Sequence, residues 1–200
     1  MIDLFKYSIR NKFFSFIVKN IFKLDNRNLL KPFFFKKNIN LEFNNNFFYE
    51  YLNNNKITKW SGQNVGEHYQ SNHDLQKLNN LKRPIYLLEK YLNNEIKYNI
   101  FVNSKIGRFK IKSMWFTLQK ANQSVPKHNH PKSLISGVYY HQVEENMGGE
   151  LEIFFENNKI VYFPKKNDLI IFNSETFHSV KVYSGHNDRI AVAWDAIYTL

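Results

Sequence analysis

The chain contains no cysteine among its 200 residues. Disulfides and thiolate metal sites are therefore excluded as supports for the fold, and a reducing compartment is compatible with the protein. On this basis we predict a cytoplasmic location. We also expect that any bound metal is held by His, Asp or Glu.

Long hydrophobic runs are absent from the N-terminal region. The first 24 residues mix Phe and Ile with Lys and Arg, and their longest uncharged run is Phe13 to Val18. A bilayer span needs about 20 apolar residues, so this segment is too short to cross a membrane. We predict that residues 1–30 form a basic amphipathic extension and residues 31–200 a single domain. The extension is expected to pack on the domain, bind a partner, or make peripheral membrane contact through residues 1–24.

Acidic side chains are in the minority, with 17 Asp and Glu against 28 Lys and Arg and a formal net charge of +11. Such a charge favours anionic partners, so we expect a small-molecule or peptidyl substrate with negative charge. The lysines are scattered, and no motif of interleaved basic, glycine and aromatic residues is visible. We therefore expect no nucleic-acid partner.

Short apolar runs separated by turn residues dominate the second half of the chain. Their spacing of roughly ten residues is typical of a β-sandwich or barrel. We predict a mainly β (α+β) fold, a double-stranded β-helix of the jelly-roll or cupin-like type, with its core at about residues 110–195. The predicted strands are Met114–Leu118, Leu134–Tyr140, Leu151–Phe155, Ile160–Phe163, Leu169–Phe172, Ser179–Val182 and Ile190–Trp194.

The region before these strands contains the candidate helices. Between Asn72 and Ile96, leucines recur at helical spacing with an interruption at Pro84. This pattern predicts two helices, or one kinked helix, packed on one sheet. Residues 25–60 are rich in Asn and Lys, and we interpret them as loops around one or two short strands.

Three histidines stand out as candidate metal ligands. His128 and His130 are two residues apart, so in an extended segment both side chains point to the same face. His178 follows 50 residues after His128, beside another predicted strand. Imidazole suits Fe, Zn, Cu and Ni, so the residues alone do not identify the metal.

An arginine opens the last predicted strand. Arg189 leads into the apolar run IAVAW, where its burial would be costly unless an anion met the guanidinium. A carboxylate bound through two hydrogen bonds is the best such anion. The residue therefore indicates a carboxylate co-substrate.

The order of these features resembles the Fe(II)- and 2-oxoglutarate-dependent oxygenases. The resemblance runs through HNHP, SGVYYH, GGELEIF, FPKKNDLIIFNSETFHSV and DRIAVAW, and covers about residues 33–195. It is greatest for a bacterial and phage group of 2OG-Fe(II) oxygenases with a His-x-His motif, and more distant for prolyl hydroxylases. It implies a dioxygenase that uses Fe(II), 2-oxoglutarate and O2, with ascorbate as a supporting reductant, and hydroxylates an unactivated C–H bond with release of succinate and CO2.

The resemblance also implies roles for individual residues. His128 and His178 would bind iron, and Arg189 and Tyr140 would hold the distal carboxylate of 2-oxoglutarate. The substrate pocket would be lined by Leu151, Trp115 and Trp194, although both tryptophans and Phe172 are equally typical of a core. The remaining candidates are interpreted as surface histidines: His68, His73, His141 and His186.

One departure leaves the third iron ligand open. Most of the superfamily has His-x-Asp or His-x-Glu where this chain has His128-Asn129-His130. His130 could be the third ligand, or could lie behind a two-histidine iron or contact substrate. Alternatively, Glu150 or Glu152 could supply a carboxylate. Alternation along a strand, however, directs both glutamates to the face opposite Leu151, which the resemblance places in the pocket.

A cupin-like three-histidine metalloprotein is the alternative function. It would be either a dioxygenase that does not use 2-oxoglutarate or a non-catalytic ligand-binding barrel. The glutamate expected after the first cupin motif is absent, with Leu134 and Ile135 in its neighbourhood. Arg189 would also have no role in such a protein.

Overall fold

The computed structural model describes residues 33–54, 58–60, 68–97, 107–131, 133–155 and 158–199. The extension predicted for residues 1–30 lies outside these residues. The described chain forms two antiparallel sheets that face each other, with helices on the far side of the larger one. No helix within the described residues is long and apolar enough to cross a membrane.

The larger sheet has seven strands and the smaller has four. The larger follows the order β1-β9-β6-β11-β4-β3-β2, and the smaller β5-β10-β7-β8. This arrangement confirms the predicted mainly β fold of the jelly-roll type. The strands are β1 (Phe34–Asn38), β2 (Thr58–Trp60), β3 (His68–Gln70), β4 (Arg108–Gln119), β5 (Gln123–His128), β6 (Ile135–Gln142), β7 (Leu151–Phe154), β8 (Lys159–Tyr162), β9 (Asp168–Asn173), β10 (Phe177–Tyr183) and β11 (Arg189–Thr199).

All seven predicted strands are present, but the one that carries His128 was not predicted. Strand β5 contains Pro126 and has no clear alternation of apolar and polar residues. Proline is tolerated there because β5 is at the edge of its sheet, where one side of the strand needs no hydrogen-bond donor. The sequence pattern consequently gave no strand signal at this position.

The helical region differs from the prediction in two ways. Helix α1 (Asn45–Asn54) was interpreted as loop, because its asparagines are poor helix formers, yet it buries Phe47 and Phe48. Helix α2 (Lys82–Tyr91) is not interrupted at Pro84. The proline lies in the first turn, where backbone N–H groups have no partner within a helix and none is lost. Shorter helical turns are Leu75–Lys77, Asn79–Leu81 and Leu92–Ile96.

Two apolar clusters lie on opposite faces of the seven-stranded sheet. We call them the helix-side cluster and the inner cluster. The helix-side cluster joins the helices to the sheet, as predicted, through residues that include Phe48, Leu88, Phe116, Val192 and Trp194. The inner cluster fills the space between the sheets and consists of Tyr140, Leu151, Ile153, Ile170, Phe172 and Ala191.

Two histidines interpreted as surface groups are buried. His68 is 1% exposed and His141 is 6% exposed. His141 packs its ring against Phe48 with the centroids 4.6 Å apart. Burial lowers the pKa of His141 to about 4, so it remains a neutral core side chain. His73 and His186 are exposed, as predicted.

Candidate active site

The structure brings the three candidate histidines together at one end of the smaller sheet. His128 ends β5 and pairs in register with His178 of β10, while His130 follows just after β5. Each residue offers one ligand atom, and these atoms lie within 4.8 Å of one another. The ring centroids of His128 and His178 are 4.2 Å apart. The cluster has the dimensions of a site for a single metal ion.

Hydrogen bonds orient two of the rings. Nδ1 of His128 lies 2.8 Å from the carbonyl oxygen of Pro126, and Nδ1 of His178 lies 3.1 Å from that of Thr176. A carbonyl can only accept, so Nδ1 carries the proton and Nε2 presents its lone pair. Nε2 of His130 lies 3.3 Å from Nε2 of His178. The Nε2 atoms therefore face a common point.

Burial keeps the cluster ready for a cation. It lowers the pKa of His128, and with the adjacent His128 ring it lowers the pKa of His178 to about 3. Both rings are consequently neutral near pH 7. Neutral imidazole is the form that binds a metal, so no proton has to be displaced from these two residues.

A carboxylate that was not identified from the sequence lies behind His130. Asp195 is 8% exposed, and its Oδ1 is 3.6 Å from Nδ1 of His130. Burial would raise the pKa of Asp195, but His130 and the hydroxyls of Ser136 and Ser113 more than offset this and hold it below its usual value. Strand alternation contained the signal, because position 195 shares a face with Arg189.

The guanidinium of Arg189 is buried without an anionic partner among its hydrogen bonds. Arg189 is 1% exposed and donates to the side-chain oxygen of Gln119 and, at 3.2 Å, to the carbonyl oxygen of Gly149. Both acceptors are neutral. Burial lowers the pKa of Arg189, which shows the cost of the desolvated charge.

Unsatisfied polar atoms surround this guanidinium. Arg189 Nε, the Tyr140 hydroxyl and Gln119 Nε2 are buried without a hydrogen-bond partner among the described residues. All three can donate, and buried donors in proteins nearly always have partners. Burial raises the pKa of Tyr140 to about 12, so the phenol remains protonated. The group has the composition of a carboxylate-binding pocket.

Gly149 makes room for the arginine. Its φ of +71° favours glycine, and a Cβ there would lie 3.0 Å from Arg189 Nε and 3.1 Å from Arg189 Cδ. The turn at Gly148–Gly149 therefore does more than lead into a strand. It lets the backbone approach the guanidinium closely enough to accept a hydrogen bond.

The inner cluster joins the histidines to the arginine. Phe172 contacts His178 with ring centroids 4.7 Å apart, and the Tyr140 ring lies 5.1 Å from the Arg189 guanidinium carbon. Leu151 lies between the sheets in the same cluster. The histidines and the arginine thus both contact side chains that pack between the two sheets, where electrostatic interactions are stronger than in water.

The two candidate pocket tryptophans lie on opposite faces of the sheet. Trp115 borders the histidines, 5.3 Å from the His130 ring, and stacks on His73 at 4.3 Å. Trp194 does not reach the site, because alternation along β11 turns it into the helix-side cluster. There it lies over Gly137, where a Cβ would come within 2.3 Å of the indole.

The glutamates of GGELEI do not join the histidines. Glu152 accepts hydrogen bonds from Lys159 at 2.7 Å and Ser179 at 2.9 Å on the outer face of the smaller sheet. The group of described residues that could hold a metal ion contains the three histidines and no carboxylate. This agrees with the alternation that placed the glutamates away from the pocket.

Comparison with known proteins finds similarity to the same superfamily. Residues 113–159, which include His128 and His130, match the sequence model of a family described as "Putative 2OG-Fe(II) oxygenase". The resemblance to 2OG-Fe(II) oxygenases is confirmed. A search of curated proteins finds no significant match.

Solved structures with a similar fold include two prolyl hydroxylases and a protein with 2-oxoglutarate bound. A Pseudomonas putida prolyl-4-hydroxylase has 13% sequence identity and a TM-score of 0.61, over 84% of this chain and 95% of that one. A Trichoplax adhaerens prolyl hydroxylase, in complex with a hypoxia inducible factor peptide fragment, has 16% identity and a TM-score of 0.59, over 96% and 92%. HygX from Streptomyces hygroscopicus, with nickel and 2-oxoglutarate bound, has 10% identity and a TM-score of 0.54, over 82% of each chain.

The residues present fit both groups that the superfamily implies. The convergent Nε2 atoms are suitable donors for a divalent iron, and imidazole is among its common ligands. The unpartnered donors around Arg189 are suited to a carboxylate of 2-oxoglutarate. The fit rests on buried polar atoms that the fold itself leaves unsatisfied.

Proposed function

We propose that the protein is a Fe(II)- and 2-oxoglutarate-dependent hydroxylase. One oxygen atom of O2 would enter a C–H bond of the substrate, and the other would enter succinate, formed from 2-oxoglutarate with loss of CO2. The observation that carries the proposal is a three-histidine cluster and a buried arginine with unpartnered donors in one interior. Family and fold similarity support the same superfamily.

In this proposal His128, His130 and His178 hold the iron on one side. Iron with bound 2-oxoglutarate supplies the oxidative chemistry, while the protein supplies orientation and a dry pocket. Histidine ligands carry no negative charge, so the full charge of Fe(II) would be uncompensated by its protein ligands. The two carboxylates of 2-oxoglutarate can therefore offset that charge and the charge of Arg189.

Arg189 and Tyr140 would fix the distal carboxylate of 2-oxoglutarate. The guanidinium Nε and the phenol O–H have no partner among the described residues, so a carboxylate would gain hydrogen bonds without displacing existing ones. Gln119 Nε2 supplies a third donor beside them. Leu151 and Phe172 would exclude water between this end and the metal.

The substrate is expected to enter beside Trp115 and His73. These stacked rings border His130, and His73 Nε2 also lies 2.7 Å from the side-chain nitrogen of Gln70. These side chains offer both a flat apolar surface and hydrogen-bonding groups. With the net charge of +11, they suit a small molecule or peptide that carries negative charge.

The cupin-like alternative accounts for the histidines alone. It gives no ligand to the buried donors around Arg189, which the oxygenase proposal explains. The two functions also differ in whether 2-oxoglutarate binds at the metal, and this difference can be measured directly.

The proposal is tested by anaerobic titration of the Fe(II)-loaded protein with 2-oxoglutarate. We expect a weak visible charge-transfer band that requires both iron and 2-oxoglutarate. On admission of O2, succinate should form only with Fe(II) present, slowly without substrate and faster with an accepted substrate. If the protein binds iron but neither the band nor succinate appears, the proposal is wrong and the cupin-like function is favoured.

A further inference from the structure

We propose that Asp195 is a positioning residue that holds His130 with its Nε2 toward the metal. The inference rests on one part of the proposed function, the metal held by the three histidines. In this chain, the carboxylate that usually follows the first histidine would be replaced by a histidine with a carboxylate behind it. Asp195 and His130 would then act as one unit.

The sheet itself fixes the position of Asp195. On β11 it pairs in register with Ser113 of β4 on one side and Ser136 of β6 on the other. The Ser113 hydroxyl donates to Oδ2 at 3.1 Å, and the Ser136 hydroxyl donates to Oδ1 at 2.6 Å. Two neighbouring strands thus clamp the carboxylate, leaving little rotational freedom.

The two serine hydroxyls are neutral, so the carboxylate of Asp195 still favours a charged or strongly polarised partner. A buried carboxylate is costly unless it is paired and hydrogen-bonded, and two neutral hydroxyls satisfy it only in part. Nδ1 of His130 lies 3.6 Å from Oδ1, the oxygen that also accepts from Ser136. A small rotation of the imidazole would bring Nδ1–H into hydrogen-bond range.

Asp195 lies on the side of the ring away from the metal position. It approaches Nδ1 of His130, whereas Nε2 of His130 faces His178. This is the arrangement in which a carboxylate fixes the tautomer and orientation of a metal-bound histidine. The same function is performed for His128 and His178 by the carbonyl oxygens of Pro126 and Thr176.

The position of Asp195 predicts what happens when the usual His-x-Asp motif is restored by His130→Asp. In His130→Asp, the new carboxylate would bind metal in the vicinity of Asp195, and two nearby like charges repel. Asp195 would then have no imidazole to orient, and its negative charge would weaken metal binding by the variant. Removing the charge of Asp195 should therefore lower metal affinity in the wild type, and should leave it unchanged or raise it in His130→Asp.

The experiment uses Co(II) binding to metal-free protein, followed by visible absorption and affinity, in a double-mutant cycle. The four proteins are wild type, Asp195→Asn, His130→Asp and the double variant. Glu145→Gln is the control for loss of a negative charge, because Glu145 pairs with Lys165 at 3.1 Å on the surface. Thermal unfolding of each metal-free protein reports whether the fold is intact.

We expect Asp195→Asn to weaken Co(II) binding about 10- to 100-fold and to change the Co(II) spectrum, as loss of an outer partner does. The double variant should bind Co(II) at least as tightly as His130→Asp. Ser136→Ala, which removes a donor to Oδ1 without changing charge, should give a smaller loss in the same direction. It provides the test if Asp195→Asn does not fold.

Two results would overturn the inference. Equal Co(II) affinity in Asp195→Asn and Glu145→Gln would show that His130 needs no carboxylate. An equal loss from Asp195→Asn in both backgrounds would show a direct ligand or a purely structural residue. Wild-type protein that binds Co(II) but not 2-oxoglutarate would instead contradict the proposed function and leave this inference standing.

Discussion

The two faces of the seven-stranded sheet are built from alternate residues of the same strands, yet their interiors differ in kind. The helix-side face packs large apolar side chains such as Phe116 and Trp194. The inner face carries the neighbouring positions Trp115 and Asp195, together with Arg189. Among the described residues, the helix-side face leaves the indole N–H of Trp194 without a partner, whereas the inner face leaves a group of three donors around one buried guanidinium. Such a group is expected where a ligand completes the structure.

This difference separates stability from function. Substitutions on the helix-side face should lower the free energy of unfolding, because they leave cavities among packed rings. Substitutions on the inner face should mainly change ligand binding, because its polar groups contribute little favourable energy until a ligand arrives. The following predictions test that separation, from the largest expected effect to the smallest.

Phe116→Ala should give the largest loss of stability. Phe116 is fully buried, and its ring meets Phe48 at 5.2 Å and Tyr51 at 5.6 Å between the centroids. Removing it should lower the free energy of unfolding by about 3–5 kcal/mol. Urea denaturation measures the change, with exposed Val182→Ala as control. A loss no larger than that of the control would contradict the assignment of this face as the packed core.

His178→Ala should abolish metal binding with a smaller effect on the fold. Loss of a ligand is expected to weaken binding more than the roughly 10- to 100-fold typical of outer partners. Equilibrium titration with Fe(II) under argon, or with Mn(II), measures the affinity. The control is His186→Ala, since His186 is exposed. Retention of micromolar metal binding would remove His178 from the site.

Arg189→Ala should weaken 2-oxoglutarate binding while leaving metal affinity nearly unchanged. Hydrogen bonds to a charged group contribute about 1.5–3 kcal/mol, so the expected loss is roughly ten- to hundredfold. Arg189→Lys should recover only part of it, because lysine keeps the charge but loses the planar fork. Anaerobic titration of the Mn(II)-loaded proteins checks this.

The control for this pair is Arg83→Ala, which removes an exposed arginine that pairs with Glu42 at 3.0 Å. It should bind 2-oxoglutarate like the wild type. Should Arg189→Ala also match the wild type, Arg189 does not hold the co-substrate and the cupin-like function gains support.

His130→Asp should weaken metal binding much less than His178→Ala does. Aspartate restores the carboxylate usual in the superfamily, and carboxylate oxygen is an acceptable ligand for iron. We expect metal binding to be retained, as measured by the same Fe(II) titration alongside His130→Ala. Complete loss of iron from a folded His130→Asp protein would show that this position requires an imidazole.

Sequence patterns predicted the strands that consist of short apolar runs. Strands such as β9 and β11 were recognised from their apolar residues, and the histidines and Arg189 from their types and order. Helix α1 was missed because asparagine conceals its apolar positions, and β5 because an edge strand with proline needs no alternation. Local sequence patterns do not show where the tertiary structure accommodates asparagine in a helix or proline in a strand.

Asp195 shows a different limit. Strand alternation places it on the face of Arg189, but only the position of β11 between β4 and β6 connects it with His130, 65 positions earlier. The sheet order supplies the serines that clamp it and the direction in which it points. A ligand can be proposed from its own chemistry, whereas a residue acting through another depends on a contact between distant strands.

The edge position of β5 has a consequence for hydrogen exchange. Its pairing with β10 is irregular, with register shifts on either side of Val180, and β10 is its one partner among the described strands. A metal held by His128 and His178 would cross-link these two strands and raise the free energy needed to separate them. Amide protons of β5 should therefore exchange markedly more slowly when metal is bound, while those of β11, in the middle of its sheet, should change little.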